Sequence, residues 1–169
     1  SETAQIDLDL FEIYTPFTSE FIVDSSTDFT DAFTGDGICA DDFSNCTLRA
    51  AVEESNAIAG PGKISFSSLV PVATLSIPGT GEDFNESGDI DFLDDTEVIG
   101  NGRTETRIDG NSIDRVFHVP ASALDVAVRL RRLTVENGVA PDAVGVAGGG
   151  IESYGRLHLD RVDVRDNSA

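Results

Sequence analysis

Cations are scarce in this chain. Its 169 residues include 11 lysines and arginines against 31 aspartates and glutamates, a formal net charge of −20. Lys63 is the only lysine. Phosphate recognition needs clustered cations, so nucleic acid is not an expected partner, and anionic membranes are not expected for the same reason. An acidic surface of this kind suits solubility, tolerance of salt or the binding of divalent cations. No apolar run reaches membrane-spanning length and no signal peptide is visible, so membrane insertion is not expected. Methionine and tryptophan are absent. A chain that starts at Ser1 and holds no methionine is read as processed at its amino terminus, which points to secretion. Thiols are limited to Cys39 and Cys46, separated by six residues. The spacing is not that of a CxxC pair, and no further thiol or histidine cluster completes a zinc site. A disulfide is therefore expected, and with it an oxidising compartment. The entropy model assigns so short a loop roughly 2–3 kcal/mol.

Helix signals are equally sparse, and they concentrate in Gly35–Asn56, GDGICADDFSNCTLRAAVEESN. Thr47 is a suitable N-cap. Leu48, Ala51, Val52 and Ser55 then fall at i, i+3, i+4 and i+7, a narrow and mostly apolar face. Glu53 and Glu54 point elsewhere, and Gly60-Pro61-Gly62 ends the helix. Arg49 lies either beside the strip that covers the core or on the surface near Glu53. So short a helix needs a surface to lie on.

The remainder reads as short β segments. Ile6, Leu8 and Leu10 alternate with Asp7 and Asp9, and Ile13 resumes the pattern after Phe11, which marks a half-buried strand. Phe21-Ile22-Val23 is a second strand. From Lys63 onward the alternating pairs include Ile64/Phe66, Ile90/Phe92, Val128/Leu130, Leu157/Leu159 and Val162/Val164. Turn residues such as Gly100-Asn101-Gly102 and Asp109-Gly110-Asn111 separate them. Leu130, Leu133 and Val135 superpose on Leu159, Val162 and Val164 at a shift of 29 residues. A repeat of that length built from strands indicates stacked coils. The glycine cluster Gly145–Ile151 is read as a corner where backbones approach closely, since no lysine follows to make a phosphate loop.

Cys46-Thr47-Leu48-Arg49-Ala50-Ala51-Val52 with Asn56 resembles the Cys-Ser-Leu-Arg-Glu-Ala-Ile…Ala-Asn motif of secreted bacterial right-handed parallel β-helix proteins. Gly35-Asp36-Gly37-Ile38-Cys39 matches the Gly-Asp-Gly-x-Cys that often precedes it. Thr47 replaces Ser and Ala50 replaces Glu. Ile108–Val119 and Gly148–Ala169 look like coils of that family. Gly148-Gly149-Gly150-Ile151 and Val164-Arg165-Asp166-Asn167 resemble the GGAI and FxxN repeats of chlamydial polymorphic outer-membrane proteins. The resemblance covers roughly residues 21–169. It implies an all-β, right-handed parallel β-helix, or solenoid, with an N-terminal capping helix, secreted or displayed on a cell surface. Thr47, Leu48, Arg49, Ala51, Val52 and Asn56 would then form the cap. The implied organisation is an N-terminal strand extension over 1–20, a disulfide-bearing cap over 21–62 and coils over 63–169.

Chemistry-bearing sets are weak. Asp109, Asp114 and Arg115, or Asp160, Arg161 and Asp163, supply the acidic and basic neighbours that polysaccharide cleavage uses. They are equally the furniture of a solvated face, so no catalytic residues are assigned. His118 and His158 each sit in an alternating strand and read as hydrogen-bonded or surface residues rather than ligands. Asp89, Asp91, Asp94 and Asp95, within the acidic run Asp83–Asp95, are the candidate Ca²⁺ ligands, although their spacing is not that of an EF-hand. Asn45 and Asn85 match the glycosylation acceptor pattern. No other cofactor is expected. The expected function is that of a secreted or cell-surface structural or adhesive protein without enzymatic activity. The alternatives are a carbohydrate-active β-helix and a carbohydrate- or calcium-binding module. The repeat ends at Asn167-Ser168-Ala169 without a capping unit, so further coils or self-association are the expected partners, with carbohydrate surfaces as a second class. The strand carrying Ile6, Leu8, Leu10 and Ile13 would join such copies head to tail into filaments.

Overall fold

The computed structural model describes residues 16–141 and 148–169. The proposed assembly strand at Ile6, Leu8, Leu10 and Ile13 lies outside them, as do residues 145–147 of the glycine cluster. In chain order the elements are β1 (Ser19–Val23), the helix α1 (Leu48–Ala57), β2 (Gly62–Phe66), β3 (Val72–Thr74), β4 (Ile90–Asp91), β5 (Thr96–Ile99), β6 (Arg107–Asp109) and β7 (Phe117–Val119). A 3-10 turn at Ala121–Ala123 follows, then β8 (Ala127–Arg131), β9 (Thr134–Glu136), β10 (Ile151–Ser153), β11 (Arg156–Asp160) and β12 (Asp163–Arg165). All pairings between strands are parallel.

Three sheets result, in the orders β1-β2-β5-β8-β11, β3-β6-β9-β12 and β4-β7-β10. The arrangement is therefore mixed α/β, five-, four- and three-stranded parallel sheets with one helix, and it corrects the expectation of an all-β closed solenoid. Short alternating segments between turns report that strands exist and how far along the chain they recur. They carry no information on whether the sheets close on one another. Helix α1 packs against β1, β2 and β4. It is buried from Leu48 to Ser55, both on the apolar face and on the face that carries Glu53 and Glu54, and only its last two residues emerge.

Register builds the core. Phe21 pairs with Ile64, Ile64 with Val98 and Val98 with Leu130, so one apolar row runs across four strands. Ala73, Ile108 and Val135 form a second row, and Ile90 and Phe117 a third. These side chains are buried, and the Phe92 and Phe117 rings pack at 5.5 Å. The 29-residue shift reappears as register, with Leu159 on Leu130 and Val164 on Val135. At the corners, backbones come too close for a side chain. A Cβ on Gly138 would stand 2.0 Å from the Gly149 carbonyl oxygen. One on Gly149 would meet the Ser168 carbonyl at 1.8 Å.

Helix α1 fixes the irregular segment before it. The Thr47 hydroxyl accepts from Ala50 N–H and donates to the Phe29 carbonyl. Cys39 and Cys46 are disulfide-bonded, with their Cα atoms 5.1 Å apart. Glu54 accepts from the N–H groups of Gly35 and Gly37, and Glu53 accepts from Asp31 N–H. Both glutamates thus point away from the narrow apolar face and towards this loop. A loop without strand partners has N–H groups to satisfy, and these carboxylates supply the acceptors.

Arg49 is wholly buried, which settles its two sequence readings against the surface one. Nε and Nη2 donate to the two Asp28 carboxylate oxygens at 2.7 and 3.1 Å. The other guanidinium hydrogens go to the carbonyls of Asn85, Gly88 and Asp89. Removing one member of a buried pair leaves the other uncompensated, so Arg49→Met should destabilise the fold by about 3–5 kcal/mol. Urea denaturation with the Asp28→Asn single and double variants checks this. The double variant should lose clearly less than the sum of the singles.

Glu53 gives a second expectation. Burial pushes its carboxyl from the ordinary 4.5 up to about 7, against the opposing effects of the Asp31 N–H and Arg49. Because the folded value lies above the unfolded one, this contribution is complete below the unfolded value and is lost as pH rises towards 7. The thermal midpoint should therefore fall across this interval. In Glu53→Gln, which keeps an acceptor for Asp31, it should fall less, and urea melts at the two ends of the interval should show the wild type losing roughly 1–3 kcal/mol more than the variant.

Candidate functional site

The segment that Arg49 holds by its carbonyls leads directly into β4. Asp91, in β4, pairs in register with His118 in β7, and His118 with Glu152 in β10. Three neighbouring strands thus place one carboxylate, one imidazole and a second carboxylate side by side. Asn85 anchors the approach. Its side chain donates to the Asp91 carbonyl and accepts from Asp91 N–H, both at 2.8 Å, in the manner of an additional strand. Asn56 of the helix donates to the same carbonyl and accepts from Leu93 N–H.

His118 Nδ1 lies 2.8 Å from Asp91 Oδ1, 3.7 Å from Asp83 Oδ1 and 4.0 Å from Asp89 Oδ2. Its Nε2 lies 4.0 Å from Glu152, and the Tyr154 ring meets the imidazole edge-on. Arg115 bridges Asp89 and Glu152, and its backbone N–H donates to Asp114. Asp89, Asp91, Asp114, Arg115 and His118 are all buried, whereas Asp83 is nearly half-exposed. Burial pushes the carboxyls of Asp91 and Asp114 up to about 6, and the charge of Asp89 adds to the effect on both. Burial is the largest single influence and works against a charged imidazole, but the bond to Asp91 together with the charges of Asp89 and Asp91 holds the His118 pKa above its ordinary value. The group holds five carboxylates against Arg115 and His118, and is short of positive charge. Asp91 Oδ2 and Asp114 Oδ2 are buried without a hydrogen-bond partner.

The sequence candidates are distributed differently. Of Asp89, Asp91, Asp94 and Asp95, only Asp91 meets His118 at hydrogen-bond distance. Asp89 is taken by Arg115, while Asp94 accepts from Gly60 and Asp95 N–H and Asp95 accepts from Ala127 N–H. Asp114 and Arg115 belong to the cluster, but Asp109 accepts from Asn111 N–H and the Asn137 side chain. Asp160 pairs with Arg131 and Arg161, and Asp163 with Arg103. His158 is exposed on β11. The Asn85 amide is buried against the Asp91 carbonyl, so its acceptor pattern is not presented for glycosylation, and the Asn45 amide bonds Asp41. Sequence reasoning missed Asp83 and Asp28 as partners. It read His118 as a hydrogen-bonded or surface residue because no third ligand was evident, and parallel pairing with β4 places Asp91 beside it.

An open groove of about 470 Å³ lies elsewhere, lined by Ser26–Phe29, Thr74 and Ser76–Pro78. Its one carboxylate, Asp28, is committed to Arg49 and to the N–H groups of Ser76 and Ile77. No helix among the described residues is long and apolar enough to cross a membrane. Comparison of the chain with known family models, with curated proteins and with solved structures found no match.

Arg115 carries a testable consequence. Arg115→Leu leaves Asp89 buried without its guanidinium, with only His118 at 4.0 Å, which should cost about 3–5 kcal/mol near neutral pH. Burial already raises the Asp89 pKa, so the abandoned carboxyl takes up a proton in mild acid and the loss shrinks there. Urea melts at two pH values measure the difference.

Proposed function

We propose that the chain is a structural or adhesive protein that acts outside the cell and self-associates through the edge of its largest sheet. The change of exposure along each stack carries this reading. Val128 and Leu130 are buried, whereas their register partners on β11, Leu157 and Leu159, are 36% and 43% exposed. Val164, beside buried Val135, is 47% exposed. Strand β11 is the last in its sheet, so one row of its backbone groups faces outward, a template for another strand.

The sequence of β11 complements itself. It reads Arg156-Leu157-His158-Leu159-Asp160. Laid antiparallel on a second copy with His158 at the centre, each Leu157 faces Leu159 and each Arg156 faces Asp160. The leucines then continue the side that β8 buries, and the charged residues continue the side on which Arg131 meets Asp160. A two-fold arrangement of this kind is self-limiting, unlike the head-to-tail filament. The disulfide supports the extracellular part of the reading, because such bonds persist in oxidising compartments.

Sedimentation velocity over a wide concentration range tests the proposal. The wild-type chain should pass from monomer to dimer. Leu159→Lys should remain monomeric with an unchanged melting temperature, and Arg156→Asp should weaken the dimer by opposing it to Asp160. A wild-type chain that stays monomeric at the highest attainable concentration would overturn the reading.

A further inference from the structure

We infer that Asp83, Asp91 and His118 form a binding site for a divalent transition-metal cation, with Zn²⁺ as the best-fitting ion. Each residue offers one ligand atom, and the three atoms lie within 4.8 Å of one another. A zinc ion sits ~2.1 Å from nitrogen and oxygen donors, which places neighbouring donors ~3–3.4 Å apart. The distances from His118 Nδ1 to Asp91 Oδ1 and Asp83 Oδ1, 2.8 and 3.7 Å, straddle that spacing. Small side-chain adjustments therefore complete the geometry.

Two further observations point to a cation. Asp91 is fully buried, yet Oδ2 of its carboxylate has no hydrogen-bond partner. The other oxygen of the same carboxylate touches His118, so the unpartnered one stands at the cluster. Burying a carboxylate oxygen unpaired is costly, and a metal ligand is one of the few roles that removes the cost. The charge balance agrees. Arg115 answers Asp89 and Glu152, which leaves Asp83 and Asp91 with His118 alone. A divalent cation bound by a neutral imidazole and two carboxylates closes that balance.

The donor set selects the metal. Calcium takes six to eight oxygens, and imidazole is a poor ligand for it, whereas one imidazole with two carboxylates suits zinc. Glu152, close to His118 Nε2, occupies the place of the carboxylate that orients a metal-bound histidine. Asp83 is the exposed member and opens the site to the ion and to water in the remaining positions.

The test uses the full chain stripped with chelator, dialysed against Zn²⁺ alone at about pH 8, where the proton that the imidazole loses on binding the metal passes to the buffer. Bound metal is counted by mass spectrometry of the ions, and the His118 ring is followed by NMR. One zinc per chain is expected, with a displaced His118 resonance and a raised thermal midpoint. His118→Asn should abolish binding. Asp83→Ala removes a half-exposed side chain and should weaken binding at least ~10-fold while leaving the fold intact. A folded wild-type chain without stoichiometric zinc would overturn the inference. So would zinc retained undiminished by both variants, which would place the ion elsewhere.

Discussion

The guanidinium of Arg49 is the constraint on which the other features depend. It has five N–H donors, and all five are used. Two bonds hold Asp28 in the loop before the helix. Three hold the carbonyls of Asn85, Gly88 and Asp89, where the chain enters β4. Asp28 in turn accepts from Ser76 and Ile77 N–H, which follow β3. One side chain on the helix therefore ties together the connections into two of the three sheets. A lysine would supply the charge but not this planar fork, so the role is specific to arginine.

A chain of charge −20 must dispose of its carboxylates, and it does so in three ways. At the sheet surfaces they form ladders with arginines, Arg131 between Glu97 and Asp160, and Glu136 between Arg107 and Arg165. Such partly exposed pairs contribute little each, about 0–1 kcal/mol, and chiefly reinforce register. In the loop before α1 they accept backbone N–H groups, as Asp24, Asp31, Asp36 and Asp41 do. Around His118 neither device suffices, and the surplus is left to protons or to a cation. This is why the unusual electrostatics gather there rather than being spread over the acidic surface.

What was legible in the sequence was local. Thr47 caps the helix because its hydroxyl needs only the amide three residues ahead. Val128/Leu130 and Leu157/Leu159 are strands because alternation is a nearest-neighbour property, and the 29-residue shift survives as strand register. The surroundings of Arg49 were not legible, since its partners lie 21 to 40 residues away. The same holds for His118, which becomes more than a lone histidine only when β4 brings Asp91 alongside. Helical periodicity places Glu53 and Glu54 off the apolar face without saying what covers the face they lie on. Here an irregular loop covers that face and needs its acceptors. The closure of the sheets was beyond reach for a related reason, since alternation fixes which side of a strand is buried but not what lies opposite.

The loop also explains where the covalent bond is placed. Residues 24–46 contain no regular element, and their backbone N–H groups are satisfied mainly by aspartate side chains and by the two helix glutamates. Such contacts act only once the chain is already in position, and they must offset the conformational entropy of a long irregular segment. The Cys39–Cys46 bond shortens the part that remains free and ends next to the N-cap Thr47. It therefore constrains the loop where it enters the helix that carries Arg49. Cross-linking at this point reduces the freedom of the unfolded chain in the region where packing contributes least. The bonds from Arg49 to Asp28 and to the carbonyls of Asn85, Gly88 and Asp89 then complete the connection from this loop to β4, and the geometry around His118 rests on it.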